Sequence, residues 1–254
     1  MPTFPLPADL DALHSEAIEY ASAVQNMLAA SGGCKGLASE ALNVLGNNAV
    51  LLHRGVRSLC EDGWTPVTSL LCRSLLDVLA SCIAVCAKPQ DADFMGFKYL
   101  SHFFMGLLAE PGLSPAETAN FTSVIKTYEA ALSPSDQQRA QKLFVKGKPE
   151  LYWFKPQYSS VKDILATATV PIYQMFKMFS GPTHGGLPMK LIMNDDANSE
   201  DIAPREHPKN THRAVGASSR LLVEVFRLRD HWDNTASNEN LYTSFITNLA
   251  KLKP

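Results

Sequence analysis

The chain is predicted to be all-α, an irregular multi-helix bundle built on antiparallel helix pairs. Three observations predict this: apolar residues recur in alternating steps of three and four, capping and stop signals separate those runs, and no stretch alternates apolar with polar residues as a half-buried strand would. Nor does any self-similar repeat of fixed period run through the sequence. A length of 254 residues fits one domain over 1–254, with an N-terminal arm at 1–8 and an acidic loop at about 194–209.

The elements follow in order. Met1-Pro2-Thr3-Phe4-Pro5-Leu6-Pro7 reads as an extended arm, without the basic start and apolar run of a signal peptide. Leu10, Leu13, Ala17, Tyr20, Val24 and Met27 then share one helical stripe, which Gly32-Gly33 ends. Leu42, Leu45, Ala49, Leu52, Val56 and Leu59 repeat the spacing up to Gly63, so the two stripes suggest an antiparallel pair. Thr65-Pro66 offers an N-cap with proline at the first helical position, opening a third helix to about Ala87. That stretch is long enough to span a bilayer, yet Arg73 and Asp77 stand inside it among Ser, Cys and Ala, so a core helix is expected and no membrane.

Phe94, Phe97, Phe104, Leu107 and Leu108 continue a helical period, and Ser114-Pro115-Ala116-Glu117 is a capping box. Ser133-Pro134-Ser135-Asp136 repeats the device. From Gly147 to Tyr158, prolines and the aromatics Tyr152, Trp153, Phe154 and Tyr158 predict a loop pinned to the core by its rings. Ser160 to Ala168 reads as helix, and another starts at Thr169-Val170-Pro171 and stops at Phe179-Ser180, ahead of Gly181-Pro182. A polar surface loop at about 194–209 precedes two closing helices, Thr211 to Trp232 and Asn238 to Leu252.

A net charge of -2 and 46% hydrophobic residues give no long-range field that would favour nucleic acid or an anionic membrane. Cys34, Cys60, Cys72, Cys82 and Cys86 are an odd set in apolar helical patterns, which suits reduced, buried thiols and a cytoplasmic setting.

Two groups of residues could carry chemistry. Arg73 and Asp77 are the only charges between Pro66 and Ala87, four apart on one face beside the small residues Ala80, Ser81 and Ala84. A neighbouring helix could approach there and bury the pair. Tyr173 and Ser180 lie seven apart, two turns on one face, and the glycine-proline break could turn His184, with Thr183, back toward them. That grouping would suit an imidazole acid or base with hydroxyl partners, or a histidine satisfied by hydrogen bonds in the core.

Other patterns carry less. His184, His207, His212, Asp195 and Asp196 match no helical metal-ligand spacing, and no phosphate loop or nucleophile elbow occurs, so neither metal nor cofactor is expected. Cys82 and Cys86 are four apart but lack further ligands nearby, and Arg205, Lys209 and Arg213 form a modest basic patch that solvation explains.

At these residues the chain resembles a bacterial family of α-helical proteins, the domain of unknown function 5677. Leu71-Cys72-Arg73-Ser74-Leu75-Leu76-Asp77 is similar to its Leu-x-Arg-x-x-x-Glu helix, with Asp77 in place of the usual Glu. Tyr173 to His184 resembles its Tyr-x(6)-Ser-x-x-x-His ending, and Tyr152-Trp153-Phe154 also fits; the likeness covers roughly residues 40 to 190. The family brings no settled activity to carry over. It is similar in turn to small helical ribonucleases and toxins of prokaryotic conflict systems, whose Arg-x-x-x-x-His signature this chain lacks.

Two functional expectations follow. The first is an intracellular interaction or regulatory module in which Arg73, Asp77, Tyr173 and His184 form an internal polar network fixing helix register, with protein, RNA or a second copy of the chain as partner. The second is a metal-independent ribonuclease or phosphodiester hydrolase, a toxin or phage-defence effector, in which His184 moves a proton, Arg73 stabilises developing charge and Tyr173 positions substrate.

Overall fold

A computed structural model describes residues 4–63, 67–144, 153–155, 157–168, 170–183, 208–233 and 238–252. Among them there are ten α-helices and no strand: α1 (Ala8–Ala30), α2 (Gly36–Glu61), α3 (Thr68–Cys86), α4 (Ala92–Leu108), α5 (Pro115–Ala130), α6 (Pro134–Phe144), α7 (Val161–Leu165), α8 (Val170–Thr183), α9 (Pro208–Trp232) and α10 (Glu239–Lys251). The all-α reading holds.

The centre of the bundle is α9. It buries Ala214, Val215, Ala217, Leu221, Leu222, Val223, Val225 and Phe226, too many directions for a one-sided surface helix, and it packs against α1, α2 and α3. A helix apolar on most sides is stable only with neighbours on most sides. On α1, Leu10, Leu13, Ala17, Tyr20 and Val24 are buried as the spacing predicts, but Leu28 rather than Met27 completes the stripe. On α2, His53 and Cys60 are buried while Leu52 and Leu59 lie at the edge, one position round from the expected stripe.

The close backbone neighbours of α1 are α9 and α10, so the expected antiparallel pairing of α1 with α2 rests on side chains alone. Side chains still bridge the α1/α2 seam, through Asp11 to Arg57, His14 to His53 and Gln25 to Asn47. The apolar surface of α9 takes the place that the stripe of α2 was expected to fill.

Helix ends follow local chemistry where it is described. Gly32 and Gly33, at φ 94° and 85°, end α1 in a conformation that side chains with a Cβ rarely adopt. Ser114 and Glu117 form the complete capping box of α5. The Asp136 amide donates to Ser133 Oγ over 3.3 Å at the start of α6. The cap at Thr65-Pro66 falls outside the described residues, as does the loop at 194–207. The arm is non-helical over residues 4–7, held by the Phe4 amide donating to the Glu61 carbonyl over 2.7 Å.

Three boundaries differ from expectation. α8 runs through Gly181 and Pro182 to Thr183 instead of stopping at Ser180. A proline in a final turn removes only one hydrogen bond, so the helix need not stop there. α7 is shorter than expected, ending at Leu165 in a turn, and α9 starts at Pro208, drawing residues 208 and 209 into helix. Pro208 needs no amide partner in a first turn, which is why it begins the helix rather than a loop.

Packing then fixes the remaining layers. α3 has a mean hydropathy of 1.8 and is long and apolar enough to cross a membrane. It packs instead against α2, α9 and α8, with Cys72, Leu75, Leu76 and Leu79 in the core. α4 crosses α2 so closely that a Cβ on Gly96 would lie 2.5 Å from the Leu37 carbonyl. Trp153 meets Tyr99 edge-on at 5.4 Å and Phe154 is buried, so the ring-pinned loop is present where it is described. None of the five cysteines is in a disulfide, but Cys34 is exposed in the α1–α2 turn, against the expectation that all are buried. Its neighbours Gly32, Gly33 and Gly36 leave it no helical face on which to pack.

Candidate functional site

Arg73 and Asp77 project from α3 and meet at 3.1 Å, as their spacing predicts. Their environment differs from the expectation of burial. The Arg73 side chain is 19% exposed and that of Asp77 is 47% exposed, so the pair stands at the edge of the bundle. Asp77 faces a shallow, open groove of about 390 Å³ lined also by Asn48, Leu51, Leu52, Ser74 and Val78. The reason is rotational: Cys72, Leu75, Leu76 and Leu79 occupy the inward face of α3, leaving Arg73, Ser74 and Asp77 on its flank.

On its other side Arg73 lies under α8, with its guanidinium 4.4 Å from the centre of the Phe176 ring. Phe176 stacks on Tyr173 at 6.4 Å, and the Lys177 ammonium lies 4.8 Å from the centre of the Tyr173 ring. Arg73 and Tyr173 therefore meet at the α3/α8 contact through Phe176, an aromatic side chain that the sequence reading did not single out, while Asp77 reaches this contact only through Arg73. The Ser180 backbone is in α8, while its side chain and the whole of His184 fall outside the described residues. So do His207, Asp195, Asp196 and Arg205, and among the described residues no group of three His, Cys, Asp or Glu side chains is placed to hold a metal.

Burial raises the Asp77 pKa and the Arg73 charge opposes the rise. One carboxylate oxygen is turned inward to the guanidinium while the rest of the group meets water. A pair this exposed contributes about 1 kcal/mol or less, not the roughly 3–5 kcal/mol of a sealed one. Asp77→Ala is expected to shift the urea midpoint only slightly, with a change in unfolding free energy below about 1 kcal/mol. A loss several times larger would mean that the pair is sealed in solution.

Two sealed polar clusters lie elsewhere. In the first, His14 of α1 and His53 of α2 stack at 4.3 Å with 20° between their planes, and His53 Nδ1 lies 3.0 Å from Ser218 Oγ of α9. The Ser218 hydroxyl donates to the Val215 carbonyl over 3.1 Å, so its oxygen is left to accept from His53 Nδ1–H. Burial first, and the nearby Arg57 next, lower the His14 pKa to about 4. Burial and the His14 charge lower that of His53 to about 3, an effect that the adjacent His14 backbone partly offsets. Both rings are neutral at pH 7.

In the second, Arg229 of α9 is 1% exposed and donates from Nη2 to Asn43 Oδ1 over 2.8 Å. Its Nε is 3.7 Å from Asp233 Oδ2, and the other Asp233 oxygen accepts from Ser39 Oγ over 2.9 Å. Burial lowers the Arg229 pKa and the Asp233 charge opposes this. Sequence reading passed over both clusters. Histidines at 14 and 53 inside apolar stripes, and an arginine amid Leu228 and His231 with Asp233 four residues on, were the available signals.

No family model, curated protein or solved structure matches the chain.

Proposed function

We propose that this chain is a helical protein-interaction module whose binding face is the outer side of α2 and α3. The observation that carries the reading is the placement of its apolar surface. Of the five large hydrophobic side chains exposed among the described residues, Val44 and Leu51 belong to α2 and Leu70 to α3, and Val67 immediately precedes α3. Leu51 lines the groove with Asp77, and Leu71 of α3 approaches Gly55 of α2, so Leu51 borders a seam that the two helices share. An apolar surface around one groove, rimmed by the polar groups Asn48, Ser74 and Asp77, suits a protein partner, a second copy of the chain included. The sealed polar clusters tie α2, one of the two helices that shape this face, to α1 and α9. A reducing, cytoplasmic setting belongs to the same proposal, supported by five cysteines held in no disulfide.

The test is a double variant, Leu51→Glu with Leu70→Glu. Both side chains point to water, so the fold is expected to survive with its circular dichroism and urea midpoint nearly unchanged. Proteins retained by the wild-type chain are expected to lose at least tenfold in affinity for the variant when remeasured in purified form. An unaltered binding profile would remove this face from consideration.

A second reading, hydrolysis of RNA or a related phosphodiester, is favoured by one arrangement: Arg73 and Tyr173 both meet Phe176, setting a cation beside two aromatic rings. Cleavage of mixed RNA by purified protein, lost in His184→Ala, would support it. No cleavage between about pH 6 and 8, the range in which an ordinary imidazole can act as both acid and base, would end it.

A further inference from the structure

We infer that the stacked pair of His14 and His53 is an acid-operated latch on the seam between α1 and α2, so that proton uptake there frees α1 to open from the bundle. The inference rests on the way the two rings are held. They lie face to face at 4.3 Å, His53 fully buried and His14 6% exposed, at the meeting of α1, α2 and α9. His14 Nδ1 and His53 Nε2 are buried without a hydrogen-bond partner among the described residues. Two neutral imidazoles can stack in this way; two imidazolium ions cannot, because each would face a like charge at van der Waals distance with no water between them.

The surrounding charges sharpen the effect. From α2, Arg54 and Arg57 disfavour a proton on either ring. From α1, Asp11 favours a proton on His14, as does Glu61 of α2, but both carboxylates are already engaged by Arg57, at 2.9 Å and 3.0 Å. From α9 come the neutral Ser218 hydroxyl and, nearer the helix start, His212, whose ring is 3.7 Å from Asp9. No unengaged anion among these groups faces the stack and the His14 backbone offsets only part of the cost, so separation of α1 from α2 relieves a proton that enters it.

The direction with pH follows. The folded pKa values, about 4 and about 3, lie below the ordinary 6.5, so the opened state binds more protons than the closed one. The closed seam is fully stable above about pH 6.5 and loses stability as pH falls toward those lower values. The opening unit is α1 with α10, which packs on α1 and only lightly on α9, so opening also parts α1 from α9.

Amide hydrogen exchange on the full chain, expressed as protection factors, tests the latch. Between pH 7 and 5, protection across α1 is expected to fall about 500-fold, as two histidines returning to 6.5 on opening require, whereas α3 amides that exchange without parting the rings keep theirs. The double variant His14→Phe with His53→Phe keeps two stacked rings that cannot take a proton, and it should lose the α1-specific fall. The inference is overturned if α1 in the wild type keeps its protection at pH 5, or if the fall survives in the variant. Should the variant not fold, ring-proton NMR of the wild type decides instead: both imidazoles are expected to stay neutral down to pH 5, and titration of either near 6.5 would overturn the latch.

Discussion

Gly96→Ala is expected to destabilise the protein by about 3 kcal/mol, the first of two large single-residue effects. The added Cβ would sit 2.5 Å from the Leu37 carbonyl carbon and oxygen and 2.7 Å from the Ala38 nitrogen. These are backbone atoms of the first turn of α2, and no side-chain rotation relieves the contact. α4 would have to slide away from α2, breaking the 2.9 Å bond from the Ala38 amide to Asp93 Oδ1 that satisfies the start of α2. Gly106→Ala is the control on the same helix. A Cβ there meets nothing within 4 Å, so the change should be neutral or stabilise by up to about 1 kcal/mol through helix propensity. Urea midpoints of the two variants check both results, and similar values for both would contradict the close crossing.

Asp233→Ala is the second, expected to cost roughly 3–5 kcal/mol, because it leaves the guanidinium of Arg229 sealed in the bundle without an anion. Ser39 would lose its 2.9 Å acceptor at the same time. The double change Arg229→Met with Asp233→Leu removes both charges and refills the volume, and should recover most of the loss. A single variant costing under about 1 kcal/mol would mean that water already reaches Arg229. The contrast with Asp77→Ala is informative. Both are i, i+4 arginine-aspartate pairs on helices, yet the Arg229 side chain is 1% exposed and the Asp77 side chain 47%.

That contrast marks the limit of what could be read in the sequence. Helical period located the buried stripe of α1 up to Val24, and capping chemistry the box of α5 to the residue, because both depend on neighbours within one or two turns. The Arg73–Asp77 contact was legible for the same reason. Its exposure was not, since that depends on which side of α3 meets α2, α8 and α9. Continuation of α8 through Pro182 was missed because a proline's cost depends on its distance from the helix end. The histidine stack was hidden more deeply. His14 and His53 are 39 positions apart, and nothing local distinguishes a histidine stacked in the core from one on a solvated face. The groove, too, is a product of tertiary packing: Leu51 and Asp77 fall on separate helices, and neither period nor composition places them together. The Arg73–Phe176–Tyr173 arrangement likewise joins α3 to α8 across about a hundred residues of chain.

The claim on which the functional reading depends is that contacts with partners are made by the outer side of α2 and α3. It is tested most directly by placing a photo-crosslinking amino acid at Leu51, at Leu70 and, as a control on the exposed side of α1, at Glu19, then irradiating cells that make the protein. Discrete adducts of one mass from both Leu51 and Leu70, with none from Glu19, are the expected result. Adducts at Glu19 with none at the other two positions would contradict the account and move the binding face to the opposite side of the bundle.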